Sequence, residues 1–115
     1  MTTKTLHGTT QIKVGDTEYT LTPTLGAVRA IEARFGGLLG AVRAVDGYSV
    51  DGIAHIIAAG AQLDAEQAAA LPDLVWQAGV VGVGKQLVPY VAVLLNPKAG
   101  AADEGNAPKA RVKAQ

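Results

Sequence analysis

The sequence predicts a mainly α-helical fold with an N-terminal β-hairpin: a small bundle of four to five helices, then a disordered C-terminal tail. Three observations lead there. Apolar and polar residues alternate on both sides of Gly15-Asp16. Apolar residues then recur at helical spacing as far as residue 95. Thr24, Ser49 and Asp64 stand where helices need N-caps.

Composition narrows the class. The chain has 115 residues, 49% of them hydrophobic and only 4% aromatic, with ten basic and ten acidic side chains and no cysteine. That length suits one domain with a modest core. Zero net charge removes the main electrostatic argument for nucleic acid or an anionic membrane as partner. Without cysteine there is no disulfide framework, no thiolate zinc site and no thiol nucleophile. The expected organisation is a flexible segment 1–8, one domain over 9–96 and a flexible tail over 97–115. The tail is weakly basic, with Lys98, Lys109, Arg111 and Lys113 against Asp103 and Glu104. The first residues lack the basic-then-apolar pattern of a secretory signal, which predicts a cytoplasmic protein.

Each element has its own signal. Ile12, Val14, Tyr19 and Leu21 alternate with polar residues around Gly15-Asp16, a two-residue turn tolerant of positive φ. An isolated hairpin is marginal in water, so this one must lie on helices or on another subunit. Thr24 offers a cap for a helix carrying Leu25, Val28, Ile31 and Phe35, which Gly36-Gly37 should end. A short second helix places Leu38, Leu39, Val42 and Val45 on one stripe and stops at Asp46-Gly47. Ser49 caps a third, with Val50, Ile53, Ile57 and Ala61 inward. Asp64-Ala-Glu-Gln67 has capping-box form and opens a brief helix to Leu71.

Residues 73–95 stand apart. After Asp73 the strongly polar residues are only Gln77, Lys85 and Gln86, so a helix here is apolar nearly all round. Gly79, Gly82 and Gly84 permit close backbone approach, and Pro89 should kink or restart the helix. So small a chain has too little remaining protein to surround such a helix, and the surplus face should meet another chain. Val80, Val81, Val83, Leu87, Val88, Val91 and Leu94 are the candidates for a partner groove or self-association face. Trp76 and Tyr90 are the candidate aromatic anchors. Each of these nine residues also reads as ordinary core.

Three patterns invite chemistry. Gly79 to Lys85 fits G-x-x-x-x-G-K, the start of a phosphate-binding loop, but Gln86 replaces the hydroxyl that would hold magnesium and no strand precedes it. Leu74 to Leu95 is long enough to span a bilayer, yet Lys85 would sit near its middle at a cost of about 2.5–3.5 kcal/mol. The histidines are His7 and His55. His55 follows Asp51 by one turn, without a paired serine or a second metal ligand at suitable spacing. The residues point to no enzyme, no cofactor and no metal.

Residues Asp16 to Gly37, DTEYTLTPTLGAVRAIEARFGG, and Ser49 to Ala61, SVDGIAHIIAAGA, resemble a known family. They are similar to the tail assembly chaperones of long-tailed phages and gene transfer agents, some members of which carry a tail tube label. The resemblance covers about residues 10–95; the long glycine-interrupted last helix and the basic tail depart from it. It implies a small, mostly helical, non-enzymatic assembly factor that keeps a tape measure protein soluble and helps recruit tail tube protein around it. Self-association is also expected, with no nucleic acid and no membrane as partner. The competing readings are a structural virion component, such as a tube or terminator subunit, and a membrane-active protein using residues 74–95.

Overall fold

The computed structural model describes residues 9–97. The segments expected to be flexible, 1–8 and the tail beyond Pro97, lie outside the described residues, as does His7. Strands β1 (Thr10–Val14) and β2 (Thr17–Leu21) form an antiparallel hairpin. Five helices follow: α1 (Leu25–Phe35), α2 (Leu38–Asp46), α3 (Val50–Ala61), α4 (Ala65–Ala78) and α5 (Val80–Leu95). The fold is thus mainly α with an N-terminal hairpin.

The hairpin register pairs Ile12 with Tyr19 and Val14 with Thr17. Gly15 has φ +63°, the positive value that a glycine-led two-residue turn requires. Ile12, Val14 and Leu21 face inward and are buried. The sheet does lie on helices: β1 packs against α5 and α4, and β2 against α3.

All three expected caps are present. Thr24 Oγ1 accepts from the Ala27 N–H at 3.0 Å, and Ser49 Oγ from the Gly52 N–H at 3.0 Å. Asp64 and Gln67 form a reciprocal capping box, with bonds of 2.8 and 3.1 Å. These caps satisfy helix-end donors locally, which is why they are legible without tertiary context.

Four expectations are corrected. Leu25 and Leu39 point to solvent, while Ala27 and Ala41 take the buried places on their helices. The helix opened by Asp64 does not stop at Leu71 but runs through Pro72 to Ala78. Residues 73–95 are not one element: the chain breaks at Gly79 (φ +104°), and α4 and α5 meet there at a bend of 117°. That backbone region is open to glycine and closed to most other residues. Pro89 does not restart the helix: α5 runs on through it to Leu95, with the proline on the exposed side.

The centre of the molecule is α3. It packs against all four other helices and β2, and Asp51 is its sole exposed residue. Gly52 and Gly60 allow this crowding, since a Cβ on Gly52 would stand 2.8 Å from Ala44 Cβ, and one on Gly60 would stand 2.9 Å from Tyr90 Oη.

Tyr90 locks α5 onto that core. Its side chain is fully buried, and its hydroxyl donates to the Thr22 carbonyl at 2.8 Å. The Thr22 N–H donates to the Gly60 carbonyl at 3.0 Å, so one residue of the β2–α1 connection ties α3 and α5 together. Burial pushes the Tyr90 phenol up from 10.0 to about 12. The folded chain therefore holds this proton more tightly than the unfolded chain. The resulting stability is complete below pH 10.0 and is lost as pH rises through about 12. Tyr90→Phe should lessen the fall in stability over that window, as measured by urea unfolding at stepped alkaline pH.

Candidate interaction surface

Helix α5 has two unlike faces. Val83, Gly84, Leu87, Tyr90, Val91 and Leu94 turn inward against α2, α3, α4 and β1. Val81, Gly82, Lys85, Val88, Pro89, Ala92 and Leu95 turn outward, with Lys85 the one charge among them. The exposures are 45% for Val81, 54% for Val88 and 53% for Leu95, large for aliphatic side chains on one helix.

The nine candidate partner residues divide accordingly. Val83, Leu87, Tyr90, Val91 and Leu94 belong to the core, Val91 with one edge on the groove described below. Val80 is half-buried against that core. Val81 and Val88 are exposed on α5, and Trp76 is exposed on α4 at 68%. Tyr90 therefore serves as an internal lock, while Trp76 is the aromatic ring open to solvent. Leu95 was missed by the sequence reading, although it continues the Val81–Val88 spacing of seven.

Beside the outer face of α5 runs an apolar groove of about 170 Å³. Val42, Val45 and Asp46 of α2 form one wall; Val88, Val91, Ala92 and Leu95 of α5 form the other. Its only polar side chain is that of Asp46. A groove of this composition can take an apolar helix stripe by burying area, with little else to give it specificity.

The residues set aside for chemistry have structural roles. Gln86 clamps the free edge of β1: its Oε1 accepts from the Lys13 N–H at 2.8 Å, and its Nε2 donates to the Lys13 carbonyl at 2.9 Å. The amide thereby replaces a neighbouring strand at one residue of the sheet edge. Gln86→Ala should cost about 1–2 kcal/mol, two net hydrogen bonds, in chemical denaturation. The glycines of the same segment differ in role. Gly79 makes the elbow, a Cβ on Gly82 would meet nothing within 4 Å, and Gly84 lies under the Tyr48 ring and Ile53. The segment is helical from Val80 onward, so it is not the loop that a phosphate site needs.

His55 Nε2 lies 3.1 Å from the Ala30 carbonyl oxygen, and its ring meets Phe35 edge-on at 5.9 Å. It braces α3 against α1 instead of pairing with Asp51. A second cavity, about 350 Å³, opens between α1, α3 and α4 and is lined by Arg34, Asp51, His55 and small apolar residues. Among the described residues, no three His, Asp or Glu side chains converge as metal ligands would. No single described helix is long and apolar enough to cross a membrane; the bent α4–α5 pair meets the test only in combination.

Comparison with protein-family models, curated proteins and solved structures finds no match. The surface itself therefore carries the functional argument.

Proposed function

We propose that this protein is a non-enzymatic tail assembly chaperone. In this reading it binds a tape measure protein in the host cytoplasm, keeps it soluble and assists assembly of tail tube protein around it. The likeness of residues 16–37 and 49–61 to that family supports the reading. The observation that carries it is the outer face of α5, which leaves Val81, Val88 and Leu95 uncovered beside an apolar groove. A tape measure protein is expected to offer long amphipathic helices, and such a helix can bury its apolar stripe in that groove. Trp76, on the α4 side of the elbow, is the aromatic contact to test first.

Co-expression with a tape measure protein from the same genome is the test. The expected result is a marked gain of that protein in the soluble fraction and its recovery with the chaperone on affinity purification. No gain and no complex overturn the reading. Mass spectrometry of purified particles provides a second check, because an assembly chaperone should be missing from them, whereas a tube or terminator subunit would be abundant.

A further inference from the structure

The exposed positions Val81, Lys85, Val88, Ala92 and Leu95 on α5 are separated by four, three, four and three residues. That is the a/d spacing of a helix that pairs with another helix. The series reads Val-Lys-Val-Ala-Leu and is centred on Val88. Reversed and laid against itself, it sets Val88 on Val88 and Val81 on Leu95, and brings the long stem of Lys85 within one residue, about 1.5 Å along the axis, of the small Ala92. A parallel pairing would instead set Lys85 on Lys85, two like charges in contact.

Charge complementarity agrees with this antiparallel register. Asp46 and Ala92 line the same groove. A helix whose Lys85 lies beside Ala92 of an antiparallel copy would carry its ammonium to the groove that the same copy's Asp46 lines. Among the described residues, neither Lys85 nor Asp46 has an ion pair or a side-chain hydrogen bond of its own. Asp46 is moreover the last residue of α2, where a carboxylate faces the negative end of the helix dipole and gains from a nearby cation.

We infer that the occupant of this groove, when no client is present, is a second copy of this chain. The two copies are related by a two-fold axis through Val88, with antiparallel α5 helices and two symmetric Lys85–Asp46 ion pairs. Such an interface is self-complementary, as a two-fold dimer demands. It uses the same face as the proposed client site, so client and second copy compete.

Sedimentation of the purified full-length chain, without client, across the micromolar range is the experiment. Wild type should pass from 11.7 kDa to twice that mass as concentration rises. Lys85→Glu and Asp46→Lys, both at exposed positions, should each raise the dimer dissociation constant at least tenfold with unchanged circular dichroism. The double variant Lys85→Glu/Asp46→Lys should return it toward the wild-type value, which loss of folding could not do. A wild type that stays monomeric, single variants that dimerise as wild type does, or a double variant without rescue each overturn the dimer. All of these results are read without a tape measure protein, so failure of its recovery leaves the dimer standing.

Discussion

Tyr90→Ala is expected to remove about 3–5 kcal/mol of stability, the cost of emptying a fully buried aromatic site. A domain of this size holds only about 5–15 kcal/mol in total, so the variant should be partly unfolded at ambient temperature or melt far below wild type. The size of the effect follows from where the ring sits. It rests on the backbone of α3 at Gly60, and its hydroxyl holds the Thr22 carbonyl that orients the β2–α1 connection. Tyr90→Phe keeps the ring and loses one bond, about 1 kcal/mol. Gly60→Ala approaches the same joint from the other side, because its Cβ would meet the Tyr90 hydroxyl at 2.9 Å, the ring at 3.0 Å and Leu21 at 3.1 Å. Overpacking of this kind costs about 1–3 kcal/mol. Combining Gly60→Ala with Tyr90→Phe should cost less than the sum of the two, since the nearest clashing atom has gone. Thermal and urea unfolding of the four variants measure this directly; strict additivity would mean that the two residues do not share a joint.

Val88→Asp should have the opposite profile, with a large effect on association and a small one on folding. Val88 is just over half exposed, so a carboxylate there stays hydrated, and exposed substitutions commonly shift stability by only about 0.5 kcal/mol. An incoming helix, however, would have to bury that charge in an apolar groove without a partner. Binding of a tape measure protein should fall at least tenfold, and self-association with it, while the melting temperature moves by no more than a few degrees. Val91, one helical step away, is buried at the groove floor. Val91→Asp should unfold the domain, because there the unpaired carboxylate is trapped inside. A folded Val88→Asp that binds and dimerises normally would remove α5 from the interaction surface.

The contrast between Val88 and Val91 shows where sequence reading of the site reaches its limit. An amphipathic helix reveals its faces through periodicity, but residues 80–95 are apolar on nearly every side, so their polarity does not mark which face stays open. Eight residues of this helix are candidates on that basis, and five of them are core. What distinguishes the open face is the position of α2, α3, α4 and β1, which are remote in sequence. The Gln86 clamp on Lys13 was hidden for the same reason: it joins residues 73 positions apart. By contrast, the Thr24, Ser49 and Asp64 caps, the Gly15 turn and the Gly36 stop each depend on atoms within a few residues.

The α4–α5 elbow is an instructive miss. Pro72 and Pro89 are the strongest helix-breaking signals in the segment, yet both lie inside helices, and the chain turns at Gly79. A proline removes one donor and crowds one carbonyl, a penalty that surrounding packing can offset. A backbone at φ +104° needs a residue without a Cβ, and no packing supplies that.

The amino-acid order by itself determined the class of fold, the hairpin and its turn, the starts of the first four helices and the excess of apolar surface, because those follow from contacts within one or two turns of chain. The tertiary structure alone decided that α3 is the enclosed helix, that Tyr90 faces inward and that Val81, Val88 and Leu95 face outward. Those outcomes are set by which distant elements reach a given helix face first, and burial energy, being non-directional, leaves no local trace of that choice.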